Sequence, residues 1–231
     1  MVRVLQRVTA GVGLIAIAAV CWAITAHRMQ GMDMGPGTDL GALGWFAVVW
    51  LTMMAAMMLP SLVPMALASS SPVRFAFGYL LTWLGAGVFA YALIKSVRSL
   101  DLSWLAWDKA GQYVAAGVIL AAALYELTPV KSRCLRHCRD PELLTRGRPL
   151  PTGLEHGLFC VGSSGMLMAG LFAVGVMNVT WMVVIAALVA AEKLLPSRRL
   201  AVAGTAVLIA VLGLAVAFAP DQVPALTIPM S

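Results

Sequence analysis

The sequence has 231 residues, of which 61% are hydrophobic and 11% charged, and its mean hydropathy is +0.91. A soluble domain is about 45–50% apolar and about 25% charged, so this composition excludes an ordinary soluble domain and predicts an all-α, polytopic membrane protein. The net charge of +6 does not point to nucleic acid, because the basic residues lie in short segments beside apolar runs, where they set membrane orientation.

A spanning helix needs about 20 mostly apolar residues. The first such run, 8–26, follows Arg3 and Arg7. It exceeds the apolar core of a signal peptide, about 7–15 residues, and is expected to remain as an anchor helix. A methionine-rich outer segment, 27–42, precedes a second run, 43–68, which carries Pro60 and Pro64. The third run is 73–94, and the stretch 99–107, with Trp104 and Trp107, reads as interfacial. Runs 113–130, 158–176, 179–195 and 200–219 complete about seven spans in one domain, 1–231. The short break at Met177-Asn178-Val179 predicts a tight hairpin between the fifth and sixth runs.

Lysine and arginine in alternate segments set the orientation. With the N-terminus inside, the inner segments hold Arg3, Arg7, Arg74, Lys131, Arg133, Arg136, Arg139, Arg146, Arg148, Lys193, Arg198 and Arg199. The outer ones hold only Arg28, Lys95, Arg98 and Lys109. The expected location is a bacterial cytoplasmic (inner) membrane, multi-pass, with the N-terminus in and lipid as a partner.

The chief chemical signal is a group of soft ligands. Cys134-Leu135-Arg136-His137-Cys138 reads C-x-x-H-C. If the fourth run continues as a helix past Pro129, positions 134, 137 and 138 share a face. His156 and Cys160, four apart at the start of the fifth run, do the same. Thiolates and imidazoles suit copper or zinc, and Lys131, Arg133, Arg136 and Arg139 favour the thiolate form. The competing reading is packing cysteines beside a histidine at headgroup level. Cys21, alone in the first run, reads as packing.

Glu126 and Glu192 fall in or at the edge of apolar runs. An ionisable residue in a span is a functional hypothesis by default. Glu126 is expected to act as a ligand or proton carrier, unless it pairs with Lys131 or snorkels to the surface. For Glu192, beside Lys193, a boundary ion pair stands equally with a site role. Met53, Met54, Met57 and Met58 form a block whose thioethers either pack helices or bind copper(I). His27, Met32, Asp33 and Met34 in the Gly-rich outer segment read as a weak copper collection site or as an ordinary interfacial loop. No P-loop, G-x-S-x-G or H-E-x-x-H occurs, so soluble nucleotide, esterase or metalloprotease chemistry has no support.

Taken jointly, Met53-Met54-Ala55-Ala56-Met57-Met58-Leu59-Pro60, the stretch from Tyr125-Glu126 to His137-Cys138, His156-Gly157-Leu158-Phe159-Cys160, Gly175-Val176-Met177-Asn178 and Glu192-Lys193-Leu194-Leu195-Pro196 resemble a bacterial family. It is described as predicted metal-binding integral membrane proteins, a domain-of-unknown-function family. The resemblance covers about 44–196 and implies metal binding, with no activity to carry over. The family pattern continues Gly-Cys-Cys after the fifth-helix cysteine, whereas here Cys160 is followed by Val161-Gly162-Ser163-Ser164-Gly165, so two thiol positions are serine.

The expectation is an integral membrane protein that handles, transfers or transports copper or zinc. Its metal site would draw on Glu126, Cys134, His137, Cys138, His156 and Cys160. Met53, Met57, Met58, Glu192, His27, Met32, Asp33 and Met34 are secondary candidates. A soluble metal donor or acceptor protein is the expected partner. The alternatives are a membrane enzyme, metal-dependent or thiol-redox with Cys160 as the reactive thiol, and a structural membrane subunit.

Overall fold

A computed structural model describes residues 2–29, 41–100, 110–140, 147–174, 179–220 and 223. Met32, Asp33, Met34, Trp104, Trp107, Met177 and Asn178 lie outside them. Every regular element among the described residues is helical: α1 Val2–Met29, α2 Leu43–Ala68, α3 Pro72–Arg98, α4 Gln112–Glu126, α5 Pro129–His137, α6 Pro149–Val174, α7 Val179–Leu194 and α8 Arg198–Phe218. Four of them, α1, α2, α3 and α8, are long and apolar enough to cross a membrane, and α4 with α5 makes a fifth if the bent pair is one span.

The centre is α2. In its most apolar window 61% of residues are buried, against 22% in α1 and α3 and 33% in α8, so α2 fills the core and the others turn an apolar face outward. Val12, Phe89, Leu200 and Phe218 are among the large apolar side chains on that outer surface. The methionine block lies inside: Met53, Met54, Met57 and Met58 are all buried at 2% exposure or less. An unbranched thioether adapts to irregular packing, and the same helix contains Pro60 and Pro64, each of which lacks a backbone donor. The Ser61 hydroxyl supplies a buried donor there, to the Met58 carbonyl at 3.0 Å.

Trp50 ties α2 to its neighbours. Its indole N–H donates to the Trp83 carbonyl at 2.8 Å, and its ring stacks on Phe172 of α6 with centroids 5.4 Å apart. Against α3, α6 approaches so closely that a side chain on Gly78 would collide with the Leu150 carbonyl, and one on Gly153 with the Phe75 carbonyl. Gly153 and Gly157 lie four apart on α6, the small-xxx-small spacing that lets helix backbones meet.

Sequence periodicity missed the break between α4 and α5. The fourth run is not one helix: α4 ends at Glu126 and α5 leaves it at 67°. Pro129 has no N–H to continue the ladder, and the residue before a proline is pushed to extended backbone; Thr128 has ψ of 149°. The Thr128 hydroxyl then caps α5, accepting from Lys131 N at 3.3 Å, with proline at the first helical position. In the other direction α6 starts at Pro149, well before the expected 158.

Candidate metal centre

The bend returns α5 onto α6, so the C-x-x-H-C segment packs beside the His156–Cys160 face. Cys138, just past the end of α5, is 3% exposed and Cys160 is fully buried, and the two thiols are close enough to influence each other electrostatically. Cys138 Sγ also lies 3.9 Å from the Ser163 hydroxyl. Ser163 donates to the Cys160 carbonyl at 3.0 Å and touches Ser164 at 3.4 Å. Both serines are 1% exposed, so they line the same buried face.

Two further groups close over Cys160. The Lys193 ammonium donates to its sulfur at 3.0 Å, and the Tyr79 hydroxyl shares a hydrogen bond with it at 3.0 Å. Lys193 also sits 5.9 Å from the centre of the Tyr79 ring, the range of a cation–π contact. Neither partner of Cys160 was read from the sequence. Successive helical residues point about 100° apart at 3.6 residues per turn, so Glu192 and Lys193 face different neighbours; that geometry was the available signal.

The remaining candidates divide. His156 is 4% exposed and sits against the rings of Phe75 and Tyr79, at 5.3 and 5.9 Å, one turn before Cys160. Cys134 faces α6 at Gly162, where an added Cβ would stand 2.8 Å from its sulfur. His137 turns aside: its ring stacks on Phe159 at 3.6 Å and its Nε2 lies 3.9 Å from the Glu155 carboxylate. Glu126 and Glu192 form a separate cluster, both paired with Lys131. The methionine block and Cys21 belong to the packed core or its margin. Among the described residues no group of three or more His, Cys, Asp or Glu side chains is arranged to hold a metal ion. The six primary candidates therefore do not form one shell, and Cys138 and Cys160 are the neighbouring donors within that set.

The end of the bundle that carries these groups is braced by arginines. Arg139 donates to the carbonyls of Glu192 and Leu195 at 2.9 and 2.7 Å, satisfying acceptors that the end of α7 leaves open. Arg198 reaches the Ser132 carbonyl at 3.5 Å, and the Tyr125 hydroxyl donates to the Gly162 carbonyl at 2.7 Å. With Arg136 and Asp140, Arg139 and Arg198 line an open cavity of about 400 Å³.

Two buried thiols with an ammonium beside one of them make a donor pair for a soft, monovalent, low-coordinate ion. No curated protein and no solved structure matches the chain. A family model does, over residues 47–216, which spans the thiol pair, Tyr79 and Lys193. By that match the chain belongs to the PpoB2 family, described as copper chaperone.

Proposed function

We propose that this protein is a polytopic inner-membrane copper chaperone that carries copper(I) between the Cys138 and Cys160 sulfurs and passes it to a partner protein. Copper here is cargo. The observation that carries the reading is the buried Cys160 thiol, hydrogen-bonded by Lys193 at 3.0 Å, with the buried Cys138 thiol as its neighbour. Copper(I) accepts two thiolates readily, and one copper(I) with two thiolates has a net charge of −1, which an adjacent ammonium neutralises. His156 stands one turn away and does not join the two thiols in a three-donor group. Zinc prefers four closed ligands in a structural site, whereas the family description names copper. The seven apolar runs of the sequence and their basic flanking segments support seven spans with the N-terminus inside, which sets the thiol pair near the cytoplasmic face.

The thiol-redox alternative fits less well, because reactive cysteines sit in partly exposed sites and Cys160 is fully buried. The deciding experiment is a copper(I) competition titration of detergent-purified protein against Cys138→Ser and Cys160→Ser. Each substitution is expected to lower affinity at least about tenfold, equivalent to about 1.4 kcal/mol, with copper K-edge absorption showing sulfur neighbours in wild type. Unchanged affinity in both folded variants would refute the site.

A further inference from the structure

Beside the thiol pair lies a buried ionic cluster that copper binding does not use. Glu126 and Glu192 are each 1% exposed and Lys131 is fully buried. The Lys131 ammonium pairs with Glu126 Oε2 and with Glu192, at 2.8 Å to Oε2 and 3.0 Å to Oε1. Three helices meet here, α4 supplying Glu126, α5 Lys131 and α7 Glu192. The other cations around it make their hydrogen bonds elsewhere. Lys193, next to Glu192, also feels that carboxylate's charge but gives its hydrogen bond to Cys160 at 3.0 Å. Arg139 donates to the backbone carbonyls of Glu192 and Leu195, and Arg198 to that of Ser132. His137 is stacked on Phe159 and His156 is held against Phe75 and Tyr79.

Two carboxylates on one ammonium leave a net charge of −1. A buried charge without a partner is strongly disfavoured, and such a group neutralises instead. The second oxygen of Glu126 identifies where. Its Oε1 is buried and has no hydrogen-bond partner among the described residues, a position that penalises an ionised carboxylate more than a neutral carboxyl.

We propose that Glu126, Lys131 and Glu192 form a proton-binding site that holds one proton per chain at neutral pH, seated on Glu126. The reaction is the plain uptake of one proton by one carboxylate, which brings the cluster to neutrality. Neither thiol takes part in it. Replacing either glutamate by glutamine leaves one carboxylate on one ammonium, already balanced, with no call for a proton.

The test is infrared spectroscopy of the full-length, metal-free protein in detergent at neutral pH. Wild type is expected to show the carbonyl stretch of a protonated carboxyl, shifted in heavy water and moved by heavy-carbon labelling of the glutamates. That band is expected to vanish in Glu126→Gln and equally in Glu192→Gln, with gel filtration and circular dichroism confirming the fold. No such band in folded wild type would overturn the proposal and show that Lys193 balances the cluster. A band that survives in folded Glu192→Gln would overturn the charge-balance basis. The wild-type spectrum with labelled glutamates decides the matter even if a glutamine variant fails to fold.

Discussion

The Lys193 ammonium lies 3.0 Å from the Cys160 sulfur, with Tyr79 on the same sulfur atom. This contact spans α7 and α6 and sets a fixed cation against a buried thiol. Removing the charge removes the neutralising partner of the proposed copper dithiolate. Lys193→Met is expected to weaken copper(I) binding at least about tenfold, the size of one pK unit of interaction, and Lys193→Arg to retain most of it. Competition titration on the three proteins checks this. Equal affinity for wild type and the methionine variant would mean that the lysine only packs.

The serine pair offers a gain-of-function test. Ser163 Oγ is already 3.9 Å from Cys138 Sγ, so a thiol there enters the same pocket. Ser163→Cys with Ser164→Cys is expected to raise copper(I) affinity measurably and slow exchange to a chelator, because added thiolates are better soft ligands than hydroxyls. If release rates match wild type, the serine face does not reach the ion.

Close contact between α3 and α6 predicts a contrast among glycines. Gly78 and Gly153 each face a backbone carbonyl of the opposite helix, whereas Gly117 has nothing within 4 Å of an added Cβ. Gly153→Ala is expected to destabilise the fold by about 1–3 kcal/mol through overpacking. Gly117→Ala is expected to be neutral or stabilising by up to about 1 kcal/mol from helix propensity. Thermal unfolding in detergent separates them, and a similar effect of both would contradict the close helix contact.

Orientation is open to direct mapping. The proposed topology puts the segment 131–155 in the cytoplasm, on the strength of its basic residues. A tag inserted between positions 141 and 146 is expected to be reached only after the inner face is opened. Labelling from the periplasm of intact cells would reverse the orientation and move the thiol pair to the other side.

Much of the helical content was legible from apolar runs alone, because a stretch of about 20 apolar residues has few alternatives to a helix. The ends of α2 at Leu43 and Ala68 coincide with the second run. The proline at 129 was equally visible, but its consequence was not: a proline can kink a helix or end it, and only packing against α6 settles the 67° turn. Residue types also nominated the soft donors. Spacing along one helix could not say which of them face each other across two, since side-chain direction depends on helix rotation and crossing. Tertiary structure therefore brought Cys138 to Cys160, drew His137 away onto Phe159, and sent the adjacent Glu192 and Lys193 to different partners. The chemistry was written in the residue types, and the selection among those residues came from the 100° step of α7 and the turn at Thr128.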